Sequence, residues 1–281
     1  MENNYNPIIS VRRDFDLENI FYNLATNEAV IKDPDLKKIY SYLRTEVVPG
    51  SLLSLGAGPT HLHYVIPVID LITCVTALDL SKKNIEVIKE FFRYIGSLKK
   101  SEEFKSDIIK NTDIQILQCL ADFYCKIKKR GSGKGLLLKL LEKSQYHDKA
   151  DLIIGDMHDF SLMGERKFNN ILLGFSLYVN SEDQLLKFFQ HAKGHLNPGG
   201  KILLIDFDKF SNDDINGEFL EDDDVIRKCP DSLDFSLEML LNVLGQVGFK
   251  EKNISTKTIP VLTDGLEKER GYEYFFATIK N

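Results

Sequence analysis

Ser51-Leu52-Leu53-Ser54-Leu55-Gly56-Ala57-Gly58-Pro59-Thr60 runs from a short apolar segment directly into Gly-x-Gly. The pattern predicts a buried parallel strand that ends in a tight turn and opens a helix. Glycine suits such a turn because it accepts positive φ and because a backbone without Cβ lets a ligand approach closely. The N–H groups at the start of the following helix add a site for a polar or anionic group. His61 stands where the dinucleotide fingerprint Gly-x-Gly-x-x-Gly requires its third glycine, which argues against a nicotinamide or flavin dinucleotide.

Working outward, His61 to Leu71 reads as a helix interrupted by Pro67, and Ile72 to Leu78 as a second apolar, β-branched strand. That strand ends at Asp79, 23 residues after Gly56. In strand–helix–strand units an acid about 20 residues beyond the first glycine lies beside the glycine turn and accepts hydrogen bonds from a ribose. Further strands are predicted at Asp151–Met157, with Asp156 at its tip, at Phe168–Phe175, and at Lys201–Asp206. Asn253–Thr258 and Tyr272–Ile279 supply the last two. Helices are predicted at Asp35–Glu46, Asn84–Tyr94, Glu182–His195 and Ser236–Val247. The alternation argues for an α/β fold: a Rossmann-like, doubly wound, mostly parallel seven-stranded sheet with helices on both faces. Residues 96–149 interrupt the alternation as a helical insertion, with helices around Glu102–Lys110 and Gly135–Lys143 and a short strand at Ile114–Cys119.

At the N-terminus, Asp14 to Leu24 fits an amphipathic helix with Phe15, Leu17, Ile20, Phe21 and Leu24 on its apolar stripe. It either packs on the flank of the domain or forms a lid with Phe21 or Tyr22 facing a ligand. Residues 1–46 are thus read as a helical cover and 47–281 as the ligand-binding domain.

The 281 residues carry 43% hydrophobic and 28% charged side chains and a net charge of −6. That balance is ordinary for a soluble domain and gives no broad cationic footprint for nucleic acid. No apolar run approaches the ~20 residues of a membrane span, and Met1-Glu2-Asn3-Asn4-Tyr5 lacks the basic and apolar regions of a signal peptide. Four cysteines, Cys74, Cys119, Cys125 and Cys229, show no metal-ligand spacing and read as reduced, buried or half-buried thiols of a cytoplasmic protein. The oligomeric state is not legible.

Four features combine: the Leu55-Gly56-Ala57-Gly58 turn, Asp79, the Gly155-Asp156-Met157 tip, and His195-Leu196-Asn197-Pro198-Gly199-Gly200-Lys201 before a strand. Together they resemble the class I S-adenosylmethionine-dependent methyltransferases, over roughly residues 47 to 281. The Leu-x-Pro-Gly-Gly turn is the most specific of them. Gly56-Ala57-Gly58-Pro59-Thr60 followed by Asp79-Leu80-Ser81-Lys82-Lys83-Asn84 is similar to the nicotinamide and phenylethanolamine N-methyltransferase group, which also has an N-terminal helical cover and a long insertion. The tyrosine that this group carries after the ribose acid is Leu80 here, and its N-terminal aromatic pair is echoed by Phe21-Tyr22.

The resemblance implies S-adenosyl-L-methionine as cofactor and a small-molecule acceptor, in the first place an amine nitrogen. It implies that Gly56, Ala57 and Gly58 let the backbone approach the methionine part and that Thr60 touches its carboxylate. Asp79 would hold the ribose, with Leu80 on the adenine and Asn84 nearby. Asp156 and Met157 would flank the adenine, Gly174 and Phe175 would lie by the methionine and the acceptor, and Tyr22 would close over the cofactor. Asp206 corresponds to an acid that contacts the acceptor; if it or Tyr178 does so, orientation comes before proton acceptance. The activated methyl carbon needs an aligned nucleophile, a positioning effect worth ~7–11 kcal/mol. The acidic stretch 211–224 reads either as attraction for a cationic substrate or as a solvated loop.

Rival chemistries leave weaker traces. Gly131-Ser132-Gly133-Lys134-Gly135 lacks the upstream glycine and the Ser or Thr of a phosphate-binding loop. His61 and His63 point apart on a helix. His191 and His195 have ligand spacing without the glutamate of His-Glu-x-x-His, so they read as surface or capping residues, and no metal is expected. Three functions stay open besides methyl transfer: aminocarboxypropyl transfer as in nicotianamine-synthase-like enzymes, ring closure within the cofactor, and a non-catalytic binding protein on the same fold.

Overall fold

The apolar segments that flank Gly56 and Asp79 do lie side by side as parallel strands. In the computed structural model, residues 34–56, 64–86, 88–89, 151–177, 180–208, 235–262 and 272–281 are described. Within them lie α1 (Pro34–Glu46), β1 (Gly50–Leu55), β2 (Ile72–Asp79), β3 (Leu152–Ile154), β4 (Phe168–Gly174), α2 (Glu182–Gly194), β5 (Leu196–Asp208), α3 (Leu237–Gln246), β6 (Ile254–Pro260) and β7 (Glu273–Lys280). The strands form one sheet in the order β3-β2-β1-β4-β5-β7-β6. β1 to β5 run parallel, and β7 is antiparallel to both β5 and β6. The chain leaves β1 toward β2 and β3, then returns to its other side as β4. That reversal places a crevice at the carboxyl ends of β1 and β4, where open α/β sheets bind ligands.

Both faces are covered, so the central strands read as continuous apolar runs rather than alternating ones. Leu53, Leu55, Ile171, Leu173, Ile202, Leu204, Phe275 and Ala277 share a buried cluster with Leu185, Phe188 and Phe189 of α2 and Leu240, Val243 and Leu244 of α3. The alternate residues face α1. There Tyr42 stacks on Phe276 at 4.8 Å and donates its hydroxyl to the Ala277 carbonyl at 2.6 Å. Burial raises the pKa of that phenol, which therefore stays protonated.

Helix ends are satisfied locally. Ser181 and Gln184 form a capping box at the start of α2. At the start of α3, Ser236 accepts from the Met239 amide and Asp208 from the Leu237 amide at 2.8 Å. Lys193 of α2 donates to the carbonyls of Val247 and Gly248 at 3.1 and 3.0 Å, closing the far end of α3. Arg44, buried in α1, pairs with Asp70 and donates to the Pro67 carbonyl at 2.8 Å, which ties α1 to the crossover between β1 and β2.

Several expectations are revised. Of the helix expected at His61–Leu71, residues 64–65 are α-helical and Ile66–Val68 continues as a 3-10 turn, since proline supplies no N–H to an α-helical ladder. Asn197-Pro198-Gly199-Gly200 does not precede β5 but lies within it as an irregularity, where pairing shifts from Phe168–Leu196 to Asn170–Lys201. Gly199 there has φ 74°. Cys74 is exposed rather than half-buried or buried, because the first half of β2 is open at Thr73 and Cys74. The N-terminal helix at Asp14–Leu24, the insertion at 96–149, the acidic stretch 211–224 and the remaining cysteines lie outside the described residues. No described helix is long and apolar enough to cross a membrane.

Candidate active site

The register brings the predicted residues to one edge. Leu55 is level with Leu78 on one side and with Leu173 on the other, so Gly56 stands between Asp79 and Gly174. Gly56 has φ 59°. A Cβ on it would stand 3.1 Å from Cβ of Ser176, with Sδ of Met157 at 3.9 Å. The tip of β1 therefore meets the loops that follow β3 and β4, and both the backbone angle and the close approach call for glycine.

At the tip of β2, Asp79 is buried, with 8% exposure. Its Oδ1 accepts from the Ser81 amide at 2.7 Å and from Nδ2 of Asn84 at 3.1 Å. Ser81 and Asn84 thereby fix the plane of the carboxylate and the start of the next helical segment, residues 82–86. Asp79 is level with Ile154 of β3, and its carbonyl accepts from the Gly155 amide at 3.0 Å. Beside it Leu80 and Ile154 are 41% and 48% exposed, two large apolar side chains open next to a carboxylate. Asp156 accepts from the His158 amide at 2.9 Å, and Met157 packs on the core from the same loop.

The loop after β4 is held from several directions. The Phe175 amide donates to the Ile205 carbonyl at 2.8 Å. The amides of Ser176 and Leu177 donate to Oδ2 of Asp206 at 3.1 and 2.7 Å, and the Phe207 amide donates to Oδ1 at 2.8 Å. Asp206 is wholly buried. On the carbonyl side, Nδ2 of buried Asn180 donates to Ser176 and Leu177 at 2.7 and 3.1 Å. Oδ1 of Asn180 then accepts from Nε2 of His158 at 2.7 Å, an assignment that follows from the two amide donations. Gly174 is covered by the ring of Tyr64, which lies 2.5 Å from where a Cβ would stand. Burial, aided by Tyr40, Asp206 and Tyr274, raises the Tyr64 pKa, so this phenol is neutral.

The Asp206 carboxylate thus meets loop backbone through both oxygens. Asn84, Asp79, Gly56, Asp156, Met157, Gly174 and Phe175 are brought to one edge. Tyr22, Ala57, Gly58, Thr60 and Tyr178 lie outside the described residues. His158, Asn180 and Ser176 were missed by sequence reasoning. No motif marks them, and only their positions shortly after two strand tips could have flagged them. The Ser176 hydroxyl is buried with no hydrogen-bond partner among the described residues. His195, by contrast, is a capping residue, its Nδ1 bonded to the Arg166 carbonyl at 2.8 Å, and His191 stacks on Phe160. Among the described residues no cluster of His, Cys, Asp and Glu could hold a metal ion.

His158 makes the loop clamp sensitive to pH. Burial holds its imidazole pKa below the ordinary range, against the opposing pull of Asp156 and the bond to Asn180. A lowered folded-state pKa means that the unfolded chain takes up the proton first as pH falls. The stability is therefore full above about pH 6.5 and is lost on acidification through the folded-state pKa. Urea unfolding at about pH 7.5 and about pH 5.5 should show a larger acid loss for the native protein than for His158→Gln. Equal losses would contradict the half-buried, neutral imidazole.

No protein-family model matches the chain, and no curated protein matches it. Solved structures do resemble it. A complex of DhpI with SAH shares 15% identity over 93% of this chain and 94% of the other, at a TM-score of 0.47. A putative O-methyltransferase from Nostoc punctiforme PCC 73102 shares 12% identity over 92% of this chain and 60% of the other, at 0.49. The N-methyltransferase NodS from Bradyrhizobium japonicum WM9 shares 10% identity over 92% and 97%, at 0.43. At these identities the likeness is one of fold.

Proposed function

We propose that the chain is an S-adenosylmethionine-dependent methyltransferase that acts on a small molecule, with an amine nitrogen as acceptor. The observation that carries the reading is the juxtaposition of Gly56, Asp79 and Ser176 at adjoining strand tips and loops. A cradle that a Cβ would fill, a carboxylate held in a fixed plane and a buried hydroxyl without a described partner suit a polar nucleoside ligand. Leu80 and Ile154, exposed beside Asp79, suit a flat base. The sequence resemblance to class I methyltransferases supports the same ligand.

When bound, S-adenosylmethionine supplies a methyl carbon activated by its sulfonium. The protein's own task is then alignment. Asp79 binds the ribose hydroxyls, Asp156 and Met157 flank the base, and Gly56 lets backbone reach the amino-acid end. Ala57, Gly58, Thr60, Asn84 and Tyr22 complete this set in the same reading. Gly174 and Phe175 border the acceptor. Asp206 is assigned as a positioning residue that sets the loop after β4, and Tyr178, from that loop, as the group that orients the acceptor. An amine acceptor must arrive unprotonated, so no obligatory base is required.

Incubation with S-adenosylmethionine and a panel of amines, followed by mass analysis of the spent cofactor, tests this reading. S-adenosylhomocysteine together with a product heavier by one methylene is expected. Methylthioadenosine would instead mean transfer or cyclisation of the other arm, and an unconsumed cofactor would overturn the enzyme assignment.

A further inference from the structure

The loops that follow β3 and β4 belong to strands that are not neighbours. β2 and β1 lie between them, which sets their tips roughly 14 Å apart at the usual strand spacing. The loop after β3 is tied to β2, where the Asp79 carbonyl accepts from the Gly155 amide at 3.0 Å. The loop after β4 is tied to β5, through the Ile205 carbonyl and the Asp206 carboxylate. Neither tie fixes one loop against the other. A third bond does so: Nε2 of His158 donates to Oδ1 of Asn180 at 2.7 Å.

Both ends of this bond are held. Asn180 is buried, its Nδ2 is taken up by the carbonyls of Ser176 and Leu177, and its own amide donates to the Leu177 carbonyl at 2.9 Å. The His158 ring stands edge-on to Phe188 of α2, with centroids 5.8 Å apart and planes at 80°, and its amide donates to Asp156. A second observation is independent of the bond. A Cβ on Gly56 would meet Cβ of Ser176 at 3.1 Å and Sδ of Met157 at 3.9 Å, so the two loops converge over the tip of β1. Met157 directly precedes His158, and Ser176 is one of the residues whose carbonyl Asn180 holds.

We propose that His158 and Asn180 are positioning residues that join the two halves of the crevice into one site, so that the nucleoside and the amino-acid arm of the cofactor are bound cooperatively. The inference rests on the methyltransferase reading, in which the base lies by Asp156 and Met157 and the amino-acid end over Gly56 and Ser176. A ligand that spans both loops gains fully from each when their separation is set beforehand. Without the bridge, binding has to order one loop against the other, and that cost reduces affinity. A ligand confined to the base side does not draw on the separation.

The full chain is titrated calorimetrically with S-adenosylhomocysteine and with methylthioadenosine, which carries the same nucleoside and sulfur without the amino-acid arm. The ratio of the two dissociation constants reports what the arm contributes. His158→Phe keeps a ring against Phe188 and removes the donor. It should lower the ratio about tenfold through weaker S-adenosylhomocysteine binding, while methylthioadenosine affinity changes less than about threefold. His158→Gln, whose amide can donate to Asn180, should keep the ratio within about threefold of the native value. Should His158→Phe fail to fold, His158→Leu decides. A ratio that changes less than about threefold without the donor, an equal loss for both ligands, or a loss that persists in His158→Gln would overturn the bridge and leave the cofactor reading intact. Native binding of S-adenosylhomocysteine without any of methylthioadenosine would also overturn the bridge, since the base side would then have no site of its own to join. Absence of S-adenosylhomocysteine binding to the native protein would overturn both.

Discussion

Asp206→Ala should lower folding stability by about 3–5 kcal/mol in urea unfolding. The carboxylate is wholly buried and accepts three backbone amides, those of Ser176, Leu177 and Phe207. Alanine takes the acceptor from one buried amide, that of Leu177, and two part-buried ones, at about 1–3 kcal/mol for each group left unsatisfied. Asp206→Asn should fall between, since its amide keeps one acceptor oxygen and turns an NH2 toward a donor. A loss below about 1 kcal/mol combined with abolished turnover would contradict the positioning role. It would return Asp206 to direct contact with an acceptor, as the sequence resemblance implied.

Asp79→Ala should weaken S-adenosylhomocysteine binding about 100-fold by calorimetry. Two charge-assisted hydrogen bonds to ribose hydroxyls, at roughly 1.5–3 kcal/mol each, bring at least this loss. The same change also removes the acceptor for the Ser81 amide and Asn84 Nδ2, so stability should drop by about 1 kcal/mol. Asp79→Asn separates the two effects. Its remaining oxygen can still serve Ser81, while ribose binding loses the charge. Unchanged affinity in both variants would remove Asp79 from the ligand site.

Much of this arrangement was legible beforehand because it rests on short-range chemistry. Apolar strands buried on both faces, the glycine that β1 needs at its tip, and an acid one strand-helix-strand unit later all leave local marks in sequence. Asn84 was placed near Asp79, and the two are hydrogen-bonded. What was not legible depends on pairing between distant segments. Asp206 at a strand tip looks the same in sequence whether it faces a ligand or the backbone amides of residues 176 and 177. His158 and Asn180 meet across the tips of β2 and β1, the two strands that separate β3 from β4. The Asn197–Gly200 irregularity reads locally as a turn, yet β4 continues to pair on both sides of it. The contacts among the rings of Phe175, just after β4, Phe207 of β5 and Tyr274 of β7 likewise join segments that no window of sequence contains.

The central claim is that Gly56, Asp79 and the loop after β4 grip one sulfonium nucleoside. A crystal structure of the protein soaked with S-adenosylhomocysteine tests it most directly. The account predicts density with the ribose on the Asp79 carboxylate and the amino-acid end over Gly56 and Ser176. Density elsewhere, or a crevice closed by the chain's own side chains, would contradict it.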